Sequence, residues 1–118
     1  MKQNFLLFKY ETPDAEKFAD LFSEDAHIEV RCQGLVDFKG SKSEYMENMK
    51  KYHFGNFILK QMRCVNDEII TLQYRQGRGL SEEKGLYEYI ERDVLETNAE
   101  GKIVALKSVF TKRNKILE

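Results

Sequence analysis

Two periods of apolar residues divide this chain. Ala15, Phe18, Ala19 and Phe22 recur at i, i+3, i+4 and i+7, with Leu21 widening the stripe, and this predicts a helix over 13–23. Thr12-Pro13-Asp14 supplies its start, Thr12 as N-cap and Pro13 at the first helical position, where its missing N–H costs nothing. Tyr45, Met49 and Tyr52 share a second stripe with Met46. Ser41 and Glu44 form a capping box ahead of it, so a second helix is predicted over 42–53, its methionines read as core packing. Residues 3–10, QNFLLFKY, are apolar enough for one or two N-terminal helical turns packed on the core.

Elsewhere the period is two. Residues 26–32 alternate as a strand with Ile28, Val30 and Cys32 on the buried face, and Gln33-Gly34 and Lys39-Gly40 punctuate a loop after it. Phe57 to Val65 reads as a strand, Asn66-Asp67 as a tight turn, and Glu68 to Gln76 as the returning strand. Gly77-Arg78-Gly79 through Lys84 is a polar loop. Two long strands then flank a turn at Asn98-Ala99-Glu100-Gly101, where Asn and Gly tolerate positive φ. Helices, a strand, a helix and a four-strand meander make an α+β fold: a curved antiparallel sheet wrapped around N-terminal helices.

Composition narrows the function more than the fold. A chain of 118 residues is expected to be one domain, 1–118, burying roughly two-thirds of its unfolded surface. Its net charge of −1, with both signs interspersed, gives no field that would draw it to nucleic acid or an anionic membrane. The short basic run Lys112-Arg113-Asn114-Lys115 reads as a solvated tail. No apolar run approaches ~18 residues and no signal-peptide pattern opens the chain, so a cytoplasmic location is the expectation. Cys32 and Cys64 are expected to be buried free thiols. Neither has a metal-ligand spacing with the other or with His27 or His53, so no metal is expected. Gly77-x-Gly79 lacks the third Gly or Lys-Ser of a phosphate cradle, and no cofactor is expected either.

Three stretches carry a family likeness. Leu21-Phe22-Ser23-Glu24-Asp25-Ala26-His27-Ile28-Glu29 is similar to the LFADDA-x-(V/I)-E junction of helix and strand in the nuclear transport factor 2-like superfamily, in its SnoaL-like and ketosteroid-isomerase-like branch. Lys39-Gly40 before a helix resembles that family's G-x-x-x-I entry to its third helix, with Tyr45 near the usual aliphatic. Arg92-Asp93-Val94-Leu95 with Glu100-Gly101-Lys102-Ile103-Val104 resembles its D-x-F-x-F…DGKI hairpin. The resemblance implies a cone, open at one end on a hydrophobic pocket that binds or transforms a small hydrophobic molecule. It also implies a homodimer through the outer face of the sheet.

On the strand before the last turn, Tyr87, Tyr89, Glu91, Asp93 and Leu95 share one face, and Leu86, Glu88, Ile90, Arg92, Val94 and Glu96 the other. Neither is purely apolar, as expected if one side lines a partly polar cavity. The resemblance turns Asp93 inward, where ketosteroid isomerase keeps a neutral acid that donates a hydrogen bond to its substrate. It also sends Leu106, Ser108 and Phe110 inward; by alternation Val104 belongs to their more apolar set. Asp93 is therefore the candidate catalytic residue, and Val30, Tyr45, Tyr89, Glu91, Leu106, Ser108 and Phe110 the candidate pocket. The competing role for Asp93 is a structural carboxylate bonded to a tyrosine or a backbone amide.

The likeness to ketosteroid isomerase is incomplete. Val30 stands where that enzyme has its proton-abstracting aspartate, and its oxyanion-hole tyrosine corresponds to about Leu6, so steroid isomerisation is not expected. His27 and His53 fall near the rim, where a lone histidine is more often a surface or capping residue. Arg63, if inward, would pair with Asp93. Two functions follow: a small-molecule-binding protein, with isomerase, dehydratase or hydrolase activity left open, or a non-catalytic scaffold. The scaffold would dimerise or bind a protein through an outer patch of Ile70, Leu72, Tyr74 and Ile90.

Overall fold

A computed structural model describes residues 2–76 and 85–117. The polar loop from Gly77 to Lys84 lies outside them. The elements run α1 (Lys2–Leu6), a π-helical turn (Leu7–Glu11), α2 (Ala15–Ala19), β1 (Phe22–Cys32), β2 (Leu35–Ser41), α3 (Lys42–Tyr52), β3 (Phe57–Val65), β4 (Glu68–Gln76), β5 (Leu86–Thr97) and β6 (Ile103–Leu117). The six strands form one sheet in the order β2-β1-β6-β5-β4-β3. The helices lie over one face of it, with Phe5, Phe18, Tyr45, Met46 and Met49 packed on its inner residues.

Several elements differ from the alternation pattern. The sheet is mixed: β1 runs parallel to β6, while every other pairing is antiparallel. The stretch read as a loop after Cys32 is β2, joined to β1 by Gln33 and Gly34, both at positive φ (54° and 81°) as a tight hairpin turn demands. Leu35 and Val36 on β2 stay exposed, which is why no buried period marks it. Gly40 suits this strand because a Cβ there would come within 3.0 Å of the capping carboxylate of Glu44.

The predicted helix over 13–23 is shorter at both ends. Its N-cap is Asp14, whose side chain accepts from the Lys17 amide at 3.0 Å, rather than Thr12. At the other end the Leu21 carbonyl accepts from Ile103 N–H at 2.9 Å, drawing Phe22 into register with β6. Sheet pairing thus takes residues that the helical stripe claimed. The second helix holds as read, with its capping box formed by Ser41 and Glu44.

Two bulges reset the alternation. In β3 the register shifts between Leu59 and Gln61, so Phe57, Leu59 and Met62 are half-buried while Arg63 and Val65 are exposed. In β6, Thr97 pairs with Ile103 and Glu96 with Ala105, leaving Val104 as the extra residue; Ile103 is fully buried and Val104 is not. Cys32 is buried and in no disulfide, as expected, but Cys64 is exposed.

Candidate functional site

The inner faces of β4, β5 and β6 meet at the centre of the sheet. Thr71, Gln73 and Arg75 on β4, Tyr87, Tyr89, Glu91 and Asp93 on β5, and Leu106, Ser108 and Phe110 on β6 are all buried. Asp93 is paired with Ser108 in the β5–β6 register, so their side chains rise from the same spot. Over this surface the π-helical turn delivers Lys9 and Tyr10 together. An α-helix turns 100° per residue; the wider turn, closed by Thr12 N–H on the Leu7 carbonyl at 2.7 Å, brings both adjacent side chains into the core.

The result is a buried polar cluster. The Lys9 ammonium lies 2.7 Å from Glu91 Oε2 and 3.1 Å from Asp93 Oδ2, with both partners shielded from solvent. The Tyr10 hydroxyl donates to Asp93 Oδ2 and the Ser108 hydroxyl to Oδ1, the latter at 2.6 Å. Gln73 Nε2 donates to Glu91 Oε1 and to Thr71 Oγ1, both at 2.7 Å. Arg75 in turn donates to Gln73 Oε1 and to the Tyr52 carbonyl, and its guanidinium lies over the rings of Phe57 and Phe110. His53 Nε2 lies 2.8 Å from the Lys9 carbonyl; since a carbonyl only accepts, that nitrogen carries the proton.

Burial and charge divide the two carboxyls. Burial, and then the negative charge of Glu91, push Asp93 up to about 7, against the pull of Lys9. Burial works on Glu91 in the same direction, but the Lys9 charge and a hydrogen bond from Asp93 outweigh it and hold Glu91 below the usual carboxylate range. At neutral pH Asp93 therefore stands between its protonated and ionised forms while Glu91 stays ionised. Burial would lower the Lys9 ammonium, yet the two carboxyls overcome it and keep the lysine charged. Burial, then the charges of Lys9 and Arg75, lower His53 to about 3, so its ring is neutral. An acid poised near 7 is able to give or take a proton at working pH.

All eight residues singled out in the sequence reach this interior: Asp93, Val30, Tyr45, Tyr89, Glu91, Leu106, Ser108 and Phe110 are buried. The space between them is small. The cavity lined by Val30, Tyr45, His53, Glu91, Ser108 and Phe110, among others, measures ≈10 Å³, less than a small organic molecule needs. Larger open grooves lie on the outer face of the sheet. One of ≈480 Å³ includes Met62, Arg63, Ile70, Leu72 and Ile90, and one of ≈560 Å³ includes His27, Lys39, Val94 and Lys107.

Other expectations change. Arg63 points outward and makes no pair with Asp93; among the described residues the buried arginine is Arg75. The tyrosine that meets Asp93 is Tyr10, not a residue at position 6, where Leu6 is half-buried. His27 is exposed and His53 is in the core, stacked on Phe57 at 4.4 Å. Lys9, Tyr10, Thr71, Gln73 and Arg75 escaped the sequence reading. For β4 a signal existed, since placing Ile70, Leu72 and Tyr74 outward obliges Thr71, Gln73 and Arg75 to face in.

No protein-family model matches the sequence, and no curated protein matches it significantly. Solved structures do. A phenazine biosynthesis-related protein from Pseudomonas aeruginosa aligns at TM-score 0.64 and 14% identity, over 92% of this chain and 77% of that one. A Mycobacterium tuberculosis protein in complex with estradiol-17β-hemisuccinate aligns at TM-score 0.56 and 16% identity, over 91% and 88%. An NTF2-like protein of unknown function from Burkholderia xenovorans aligns at TM-score 0.54 and 13% identity, over 98% and 83%. Among the described residues no three His, Cys, Asp or Glu side chains group to hold a metal ion, and no helix is long and apolar enough to cross a membrane.

Proposed function

We propose that this chain, which has the nuclear transport factor 2-like, cystatin-like fold, is a small-molecule-binding protein whose interior acid pair, Asp93 and Glu91, anchors the polar end of an otherwise apolar ligand. The observation that carries this reading is the cluster itself. A core of this size gains nothing in stability from a fully buried Lys–Glu–Asp group, since apolar side chains of like volume are commonly as good or better. Such groups, with an acid shifted to near 7, concentrate where a ligand or proton is handled. The estradiol hemisuccinate held by one structural neighbour supports an apolar ligand with a polar tip. In a cavity of ≈10 Å³ the ligand enters by displacing side chains of the π-helical turn or of α3. The junction Leu21 to Glu29 resembles that of the SnoaL-like branch, and a proton-transfer reaction at Asp93 is the activity to seek.

A thermal-shift screen of hydrophobic molecules carrying one ammonium, carbonyl, hydroxyl or carboxylate group tests this. Hits are expected, and Asp93→Asn or Tyr10→Phe is expected to weaken them at least ~10-fold, the loss of one buried hydrogen bond. Unchanged affinity in both variants would remove the pair from the site. The full interior and the outer grooves favour a second reading, a dimeric scaffold using Ile70, Leu72, Tyr74 and Ile90. A strictly monomeric chain at high concentration would oppose it.

A further inference from the structure

We propose that the cluster around Lys9 is an ammonium-recognition site, filled in the free protein by the chain's own lysine, and that its ligand class is a primary alkylammonium. This rests on the interior being a ligand site and names what that site prefers. An ammonium group has three N–H donors and no acceptor. Two carboxyl oxygens lie within hydrogen-bond distance of Lys9 Nζ, Glu91 Oε2 at 2.7 Å and Asp93 Oδ2 at 3.1 Å, and the buried Tyr45 hydroxyl interacts with its charge. Two ring faces, Phe5 and Tyr10, complete the enclosure at 5.2 Å from the nitrogen. Two of the three N–H donors of an ammonium are met by the carboxyls. A ligand carbonyl or carboxylate would instead place acceptor against acceptor at Glu91.

Two further features point to a replaceable occupant. The residual void lies against Tyr45 and Glu91 of this same enclosure, so the space vacated by a lysine stem adjoins it. The lysine also arrives on a π-helical turn near the start of the described chain, a backbone form that recurs at functional sites, rather than on the sheet that carries the acids. The acids, Ser108 and Gln73 are fixed by β4, β5 and β6 whatever that turn does.

Replacing Lys9 by alanine removes a group with the size and charge of n-propylammonium, so that ion is the probe. In Lys9→Ala, millimolar n-propylammonium chloride is expected to raise the unfolding midpoint by ~3 °C or more at fixed ionic strength. Equimolar n-propanol and sodium chloride are expected to leave it unmoved, as is the probe added to Lys9→Met, where the stem still fills the space. If Lys9→Ala is unfolded alone, the readout is recovery of its far-UV circular dichroism by the amine and not by the alcohol. No response to the amine in either form, or an equal response to n-propanol, overturns the proposal. Wild-type binding of neutral ligands beside Asp93, with no amine rescue, would sink this inference and leave the broader reading standing. Amine rescue with no wild-type binding of any screened ligand, amines included, would sink both and leave Lys9 a structural cation.

Discussion

Two ion pairs of the same length mark the opposite faces of β5. Lys9–Glu91 on the inner face and Arg92–Glu68 on the outer face are both 2.7 Å apart, yet the first pair is 1% exposed at each partner and the second is 48% and 33% exposed. Distance is therefore no guide to what each does. The outer pair loses little solvation and gains little, as surface pairs generally do. Each inner charge has given up its water and depends wholly on the other members of the cluster. One strand carries a decorative pair and an obligatory one, and only the second constrains what the core is for.

Breaking the inner pair by one partner is expected to have the largest effect. Glu91→Ala removes the nearer carboxylate from Lys9 and leaves it only Asp93, 3.1 Å away, and a loss of ~3–5 kcal/mol is expected in urea unfolding. Lys9→Met combined with Glu91→Gln removes both charges, and the double variant is expected to recover at least half of that loss. If the double variant is no better than Glu91→Ala, shape rather than charge holds the cluster.

The pH dependence of stability sharpens the comparison next. Asp93 is raised from 3.8 to about 7 in the folded state, so the stability it contributes is complete below about 4 and is lost as pH rises through about 7. His53 is lowered from 6.5 to about 3, so the folded state resists its protonation and stability is lost as pH falls from about 6.5 toward 3. Between about 4 and 6.5 the two slopes oppose each other, and the wild-type profile is expected to be nearly flat there. Asp93→Asn is expected to make stability rise with pH across that window, and His53→Gln to make it fall, each by up to ~1.4 kcal/mol per pH unit. Unfolding curves at half-unit steps check both signs. The smallest effect belongs to the outer face: Arg92→Ala is expected to cost less than ~1 kcal/mol and to lose even that in high salt.

What the sequence revealed follows from where alternation is unbroken. In β5 and the second half of β1 the two-residue period runs without interruption, and Asp93, Glu91, Tyr89, Val30 and Cys32 all fall on the side expected. It failed where a bulge adds a residue. Arg63 could be given no side because β3 resets at Lys60, and Ile103 was passed over for Val104 because β6 resets there. No periodicity encodes a bulge, since its cause is pairing with a distant strand. Lys9 and Tyr10 were hidden for a similar reason. Neither a 3.6 nor a 2.0 period places adjacent residues on one face, and only the partners waiting on β5 explain why a lysine sits in the core. The acid of the site was thus legible, and its cation and its phenol were not.

A structure of the complex with the strongest binder from the ligand screen tests the central claim most directly. The ligand is expected inside the cone, with a polar atom within hydrogen-bond distance of Asp93 or Glu91 and Lys9 shifted from its present contacts. A ligand seated in an outer groove, with the 2.7 Å Lys9–Glu91 contact intact, would contradict it.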